Sequence, residues 1–111
     1  MEITSQKFKH CDLLSINGKV DSFTAPDLIK AIEALNNSNR YKIILDLSHL
    51  EYMSSAGFRA MLLGQRNCKR YNRGEIVLAL VPKKVMDALE LTGFTPLFKI
   101  FDDITPAVGN F

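Results

Sequence analysis

With 111 residues, 47% of them apolar and 23% charged, the chain has the size and composition of one globular domain that buries a core. A formal net charge of +2 is too small to point to a nucleic-acid partner, and no apolar run reaches the length of a membrane span. Cys11 and Cys68 lack metal-ligand spacing, and the N-terminus lacks a signal-peptide layout, so reduced thiols in the cytoplasm are expected.

Residues 2–9 and 12–20 read as two strands joined by a turn at His10-Cys11-Asp12, forming an antiparallel hairpin. The second is apolar on both sides of its alternation, as an inner strand is. Lys7 and Lys9 fall on one solvated face of the first and help protect an edge. After a loop at Asp21-Ser22-Phe23, Thr24-Ala25-Pro26-Asp27 starts a helix with a Thr cap, an early Pro and an early acid. Leu28, Ile32 and Leu35 mark its buried side, with Lys30 and Glu33 outside. Asn36-Asn37-Ser38-Asn39 ends it, because Asn tolerates a left-handed terminal residue.

Residues 42–47 follow as a strand buried on both faces. The chain then turns through small residues into a helix from Phe58 to Tyr71, whose inner side is expected to carry Ala60, Met61, Leu63, Gly64, Cys68 and Tyr71. Asn72-Arg73-Gly74 is expected to stop it, with Gly74 in the terminal turn. Glu75–Val81 is a second buried strand, adjacent to or near the first. Pro82-Lys83-Lys84 opens a helix with Val85 and Leu89 inside, which stops at Gly93. Phe98–Phe101 is a short last strand, and Thr105–Val108 a docked helical turn. Strands alternating with helices after residue 20 imply parallel pairing through right-handed crossovers. The expected architecture is a mixed α/β sheet of about five strands with an N-terminal hairpin and packed helices, residues 1–111 forming a single domain.

The turn at Ser54-Ser55 holds the candidate chemistry. The first N–H groups of a helix are unpaired there, and its positive end favours an anion. One serine could cap the helix, worth ~1 kcal/mol, while the other stays exposed. Gly57 serves either a tight strand–helix contact or the close approach of another backbone. Phe58 points outward if Ala60, Leu63 and Gly64 set the inner side; its spacing to Met61 and Leu62 suits burial instead. Arg59 lies one turn after Ser55, placed to pair with a phosphate or an acidic partner or simply to be solvated. Asp46 reads as structural. Arg66, Lys69, Arg70 and Arg73 form a basic cluster best explained as a solvated face. His10 and His49 are isolated on turns, so neither a metal nor another cofactor is expected.

Leu45-Asp46-Leu47-Ser48 ending a strand, followed by Tyr52-Met53-Ser54-Ser55-Ala56-Gly57 opening a helix, resembles the signature of the STAS domain. More narrowly, it is similar to the bacterial anti-sigma factor antagonists, whose turn usually reads aromatic-Met-Asp-Ser-Ser/Thr-Gly-Leu. Ser54 stands where that family has Asp, and Ala56 replaces its second Ser or Thr. Gly18-Lys19-Val20-Asp21 and Leu91-Thr92-Gly93-Phe94 extend the resemblance nearly end to end. It implies that Ser55 is phosphorylated by an anti-sigma factor with serine-kinase activity, that phosphorylation ends binding to that partner, and that a phosphatase restores it. Asp21 matches an acidic position near the kinase interface. These readings make Asp21, Ser54, Ala56, Gly57, Phe58 and Arg59 the expected partner-binding residues of a protein that regulates transcription without catalysis of its own. The alternative is a STAS scaffold without the switch, in another signalling or lipid-transport complex. A hydrolase with Ser55 as nucleophile lacks the Gly-x-Ser-x-Gly elbow, since Met53 stands two before the serine.

Overall fold

The computed structural model describes residues 1–111. Strands β1 (Glu2–Lys7) and β2 (Asp12–Val20) precede helix α1 (Ala25–Asn37) and strands β3 (Lys42–Asp46) and β4 (Leu50–Met53). Helix α2 (Ser55–Lys69), β5 (Glu75–Ala79), α3 (Lys83–Thr92), β6 (Ile100–Phe101) and α4 (Ile104–Gly109) complete the chain. The sheet has six strands in the order β1-β2-β3-β5-β6, with β4 paired to β2. Only β1 runs antiparallel to its neighbour.

Strand β2 is long enough to serve two partners in turn. Asp12–Ser15 pairs with β3, and Gly18–Val20 pairs with β4. The register shifts between Gly18 and Lys19, and Gly18 has φ +92°, a conformation that costs a glycine little at such an irregularity. Sequence periodicity passed over β4 because it is a four-residue strand inside what otherwise reads as a turn.

The run Ile43-Ile44-Leu45 is buried throughout, as expected of a strand covered on both faces. Ile43 and Leu45 join the larger core under α1, α2 and α3, while Ile44 joins Leu13, Val77 and Ala79 in a smaller one closed by Ala107 of α4. Each buried isoleucine, leucine or valine side chain stabilises the fold by roughly 1.5–3 kcal/mol relative to exposure. The expected pairing of the two buried strands is present: β3 and β5 are parallel, with Ile43 opposite Ile76 and Leu45 opposite Leu78.

Three expectations about segment ends need correction. Lys9 lies beyond β1, in the bend before Cys11, and so shares no strand face with Lys7. Tyr71 is 82% exposed, because α2 ends at Lys69 and the chain passes into a short 3₁₀ turn. The left-handed residues of that turn are Tyr71 (φ 58°) and Asn72 (φ 55°), not Gly74. Gly74 is required for a different reason: a Cβ there would run into the Tyr41 backbone, with its carbonyl carbon at 2.6 Å. Gly93 does take the left-handed position after α3, with φ 77°.

Both cysteines are buried free thiols, and burial is the main cause pushing each pKa up. They belong to the two cores, Cys68 to the larger and Cys11 to the smaller.

Candidate functional site at the start of helix α2

The ends of β2 and β4 bring two loops together. Val20 pairs with Met53, and the Ser54 N–H donates to the Val20 carbonyl at 2.8 Å. The residue after Val20 is Asp21 and the residue after Ser54 is Ser55, so the two loops leave the sheet side by side.

Asp21 closes its own loop. Its Oδ1 accepts the N–H of Phe23 at 2.9 Å and of Thr24 at 3.0 Å, while its own N–H donates to Thr24 Oγ1 at 2.9 Å. The Ala25 N–H also donates to the Asp21 carbonyl, at 2.8 Å. This is the reciprocal logic of a capping box, set three residues ahead of the expected Thr24 cap. Thr24 occupies the cap position of α1, but its side chain makes no cap bond to that helix. The Thr24 N–H is the largest cause holding the Asp21 carboxyl below its ordinary pKa. A depressed folded pKa means that the loop gains stability above the unfolded carboxylate's pKa and loses it as pH falls through the folded one.

Ser54 and Ser55 divide as the sequence reading allowed for exposure, though not for capping. Ser54 sits at the cap position with φ −78° and ψ 172°, yet its side chain makes no cap bond. Its Oγ is buried and has no hydrogen-bond partner within the protein. Ser55, the first residue of α2, is exposed. No acidic side chain of α2 itself occupies its first turn. Replacing Ser54 with alanine is therefore expected to leave stability unchanged or to raise it, where loss of a working cap would lower it by ~1 kcal/mol. Urea denaturation of the two proteins side by side checks this.

The inner face of α2 is Gly57, Ala60, Met61, Gly64, Gln65 and Cys68, all buried at helical spacing. Phe58 lies beside that face at 3% exposure, inside the main core. The outward Phe58 is thus corrected, because Leu63 is not part of the inner side: it is 42% exposed. Gly57 serves the tight contact, since a Cβ there would collide with the Met53 side chain and come within 2.9 Å of Val20 Cγ1. Neither residue is available to a partner's surface. Ala56 is half-buried against the core.

What remains outside is a ridge of Ser55, Arg59 and Leu63, successive at i, i+4 and i+8. Arg59 is exposed and takes part in no ion pair. Two exposed aromatic residues were not expected from the sequence. Phe23 is 89% exposed on the turn that Asp21 holds, and Tyr52 is 52% exposed on β4. The usable signal was an aromatic residue inside a polar turn, Asp21-Ser22-Phe23-Thr24. Ser55 and Arg59 put a hydroxyl and a cation on the outer side of α2 beside the exposed Leu63, and Phe23 stands exposed on the adjoining loop, groups suited to docking a protein. Asp46, read as structural, is so placed: it accepts from the Ser48 N–H at 3.0 Å and from Ser15 Oγ at 3.2 Å.

Residues 2–107 match the STAS domain family. The protein named "Putative anti-sigma factor antagonist BtrV" from Bordetella bronchiseptica is 29% identical over 111 residues, covering all of this chain and 95% of that one. The anti-sigma-B factor antagonist of Listeria monocytogenes is 26% identical over 100 residues, covering 90% and 86%. Among solved structures, the Bacillus cell fate determinant SpoIIAA in its phosphorylated form superposes with a TM-score of 0.75 at 14% identity, covering 98% of each chain. No helix of the chain is long and apolar enough to cross a membrane.

Proposed function

The chain belongs to the STAS domain family, and from that premise we propose that it is an anti-sigma factor antagonist switched by phosphorylation of Ser55. Unmodified, it docks an anti-sigma factor through Phe23, Ser55, Arg59 and Leu63 and so frees a sigma factor in the cytoplasm. The anti-sigma factor is also the serine kinase, and a phosphatase reverses the modification. The protein itself is ligand and substrate, with no catalysis of its own. One observation carries this reading: of the two adjacent serines, Ser55 is exposed at the helix start, while the Ser54 hydroxyl is buried. The likeness to relatives named anti-sigma factor antagonists supports the choice of partner.

A phosphate on Ser55 adds about −1.5 to −2 charge at neutral pH. The helix N-terminus and Arg59 favour that charge, so the domain stays folded. A partner seated over the ridge meets it as bulk and as a charge to be desolvated, which is costly without a matching cation. Gly57 and Phe58, expected at this interface, act beneath it as packing.

Ser55→Asp is expected to melt close to the wild type and to bind a cognate anti-sigma kinase at least tenfold more weakly. Ser55→Ala is expected to keep binding and to accept no phosphate at this position. Calorimetric titration and intact-mass analysis after incubation with kinase and ATP measure both. Wild-type affinity in Ser55→Asp would remove the repulsive mechanism. Undiminished phosphorylation of Ser55→Ala would move the switch to another residue.

A further inference from the structure

Charge is distributed unevenly between the two ends of the sheet. Strands β2, β3 and β5 are parallel, so their first residues share one end, whereas Ser55 follows the opposite end of β2 and β4. The nine residues of β2 separate the two ends by roughly 26 Å. At the first end, Lys9, His10, Arg40, Lys42 and Arg73 line a cavity of about 300 Å³ together with Tyr41. No carboxylate lines it. Asp12, the acid that pairs with Arg40, is itself 3% exposed.

Two of the cations are immobilised by bonds that hold the fold. Arg40 donates from Nε to Asp12 at 2.7 Å and from Nη2 to the carbonyls of Phe8 and Cys11. The Arg73 guanidinium lies 3.9 Å from the Tyr41 ring centroid and donates to the Tyr41 hydroxyl and the Asn67 carbonyl. Arg73 therefore holds an unpaired positive charge fixed in the cavity wall, while the charge of Arg40 is offset by Asp12 behind it. Lys9 and Lys42 are exposed and take part in no ion pair. A concave wall of one sign raises the local concentration of counter-ions. The fixed charge of Arg73 beside the exposed ammonium groups of Lys9 and Lys42 matches the charge of a phosphate, with the lysines free to donate to it.

We propose that this cavity binds a phosphate-bearing anion, independently of the Ser55 switch. Its volume is at the lower bound for small-molecule sites, room for a pyrophosphate-sized group. Arg73 covers one face of the Tyr41 ring, so the wall presents its cations more than its aromatic surface. The phosphate could reach the site as part of a free metabolite or as a lipid headgroup, and the two sources are separable.

The test titrates the full chain with sodium pyrophosphate at low ionic strength by calorimetry. In parallel, it measures co-flotation with phosphatidylglycerol vesicles against phosphatidylcholine vesicles. The double reversal Lys9→Glu/Lys42→Glu is expected to weaken binding at least tenfold. A control reversal at the other end of the sheet, Lys83→Glu/Lys84→Glu, is expected to change it less than twofold. The neutral pair Lys9→Gln/Lys42→Gln is expected to fall between them, and equal melting temperatures for all variants establish that they are folded. Pyrophosphate binding with this pattern supports a free phosphate ligand; the same pattern with anionic vesicles alone supports a headgroup. Absence of binding to both probes overturns the proposal, as does equal weakening by the two reversals.

Discussion

Arg40→Met is expected to destabilise the domain by about 3–5 kcal/mol, the cost of removing one partner from a buried ion pair. A domain of this size has about 5–15 kcal/mol in total, so the variant should sit near the edge of folding. The cost falls on Asp12, which is 3% exposed and loses the bond to Arg40 Nε. The Phe8 and Cys11 carbonyls lose a donor in the same step, which loosens the turn between β1 and β2. Adding Asp12→Ala to Arg40→Met should recover more than half of the loss, since the stranded carboxylate is then gone. Urea denaturation of the wild type, both single variants and the double variant closes the cycle. If the double variant were no more stable than Arg40→Met alone, the pair would not be the source of the effect.

Gln65→Leu is expected to cost about 3 kcal/mol, despite conserving size and adding apolar surface. The Gln65 amide does the work of a missing strand. Its Oε1 accepts the Ile76 N–H at 2.6 Å, and its Nε2 donates to the Ile76 carbonyl at 3.0 Å and the Leu97 carbonyl at 2.7 Å. Strand β6 supplies such bonds only further along β5, where the N–H groups of Leu78 and Leu80 reach the carbonyls of Lys99 and Phe101. Leucine leaves the Ile76 groups buried without partners, at ~1–3 kcal/mol for each unsatisfied group. Hydrogen exchange should report the loss at Ile76 first, and urea denaturation should report its size. A change below ~1 kcal/mol would mean that the first half of β5 finds other partners.

Local patterns that carry their own physical cause account for much of the fold. Periodicity placed α1, β3, β5 and α3, because burial on one face or both imposes that pattern whatever the surroundings. The left-handed Asn39 and Gly93 were legible for the same kind of reason: few residues adopt that conformation cheaply. The Ser54-Ser55 turn was legible as the start of a helix from its order of apolar run, small residues and helical period. Its likeness to the STAS signature then supplied a chemical role that periodicity could not.

What local pattern could not settle was which way side chains turned once elements packed. The rotation of α2 is the clearest case. Gly57, Ala60, Met61, Gly64, Gln65 and Cys68 form its inner face because Gly57 admits the side chains of Met53 and Val20 and Gly64 those of Ile32 and Ile76, the last three brought in from other elements. That rotation buries Phe58 and exposes Leu63, the reverse of one sequence expectation. Strand β4 exists because β2 outruns β3 and has a free edge to offer, a fact about chain lengths in three dimensions. The roles of Asp21, Gln65 and Arg40 are polar bonds, and those of Gln65 and Arg40 span 11 to 32 positions along the chain. A hydrogen bond leaves no periodic trace in a sequence, since any donor brought within reach satisfies the same acceptor. Apolar burial repeats along an element and is legible there; polar satisfaction is settled pair by pair, after the chain has closed on itself.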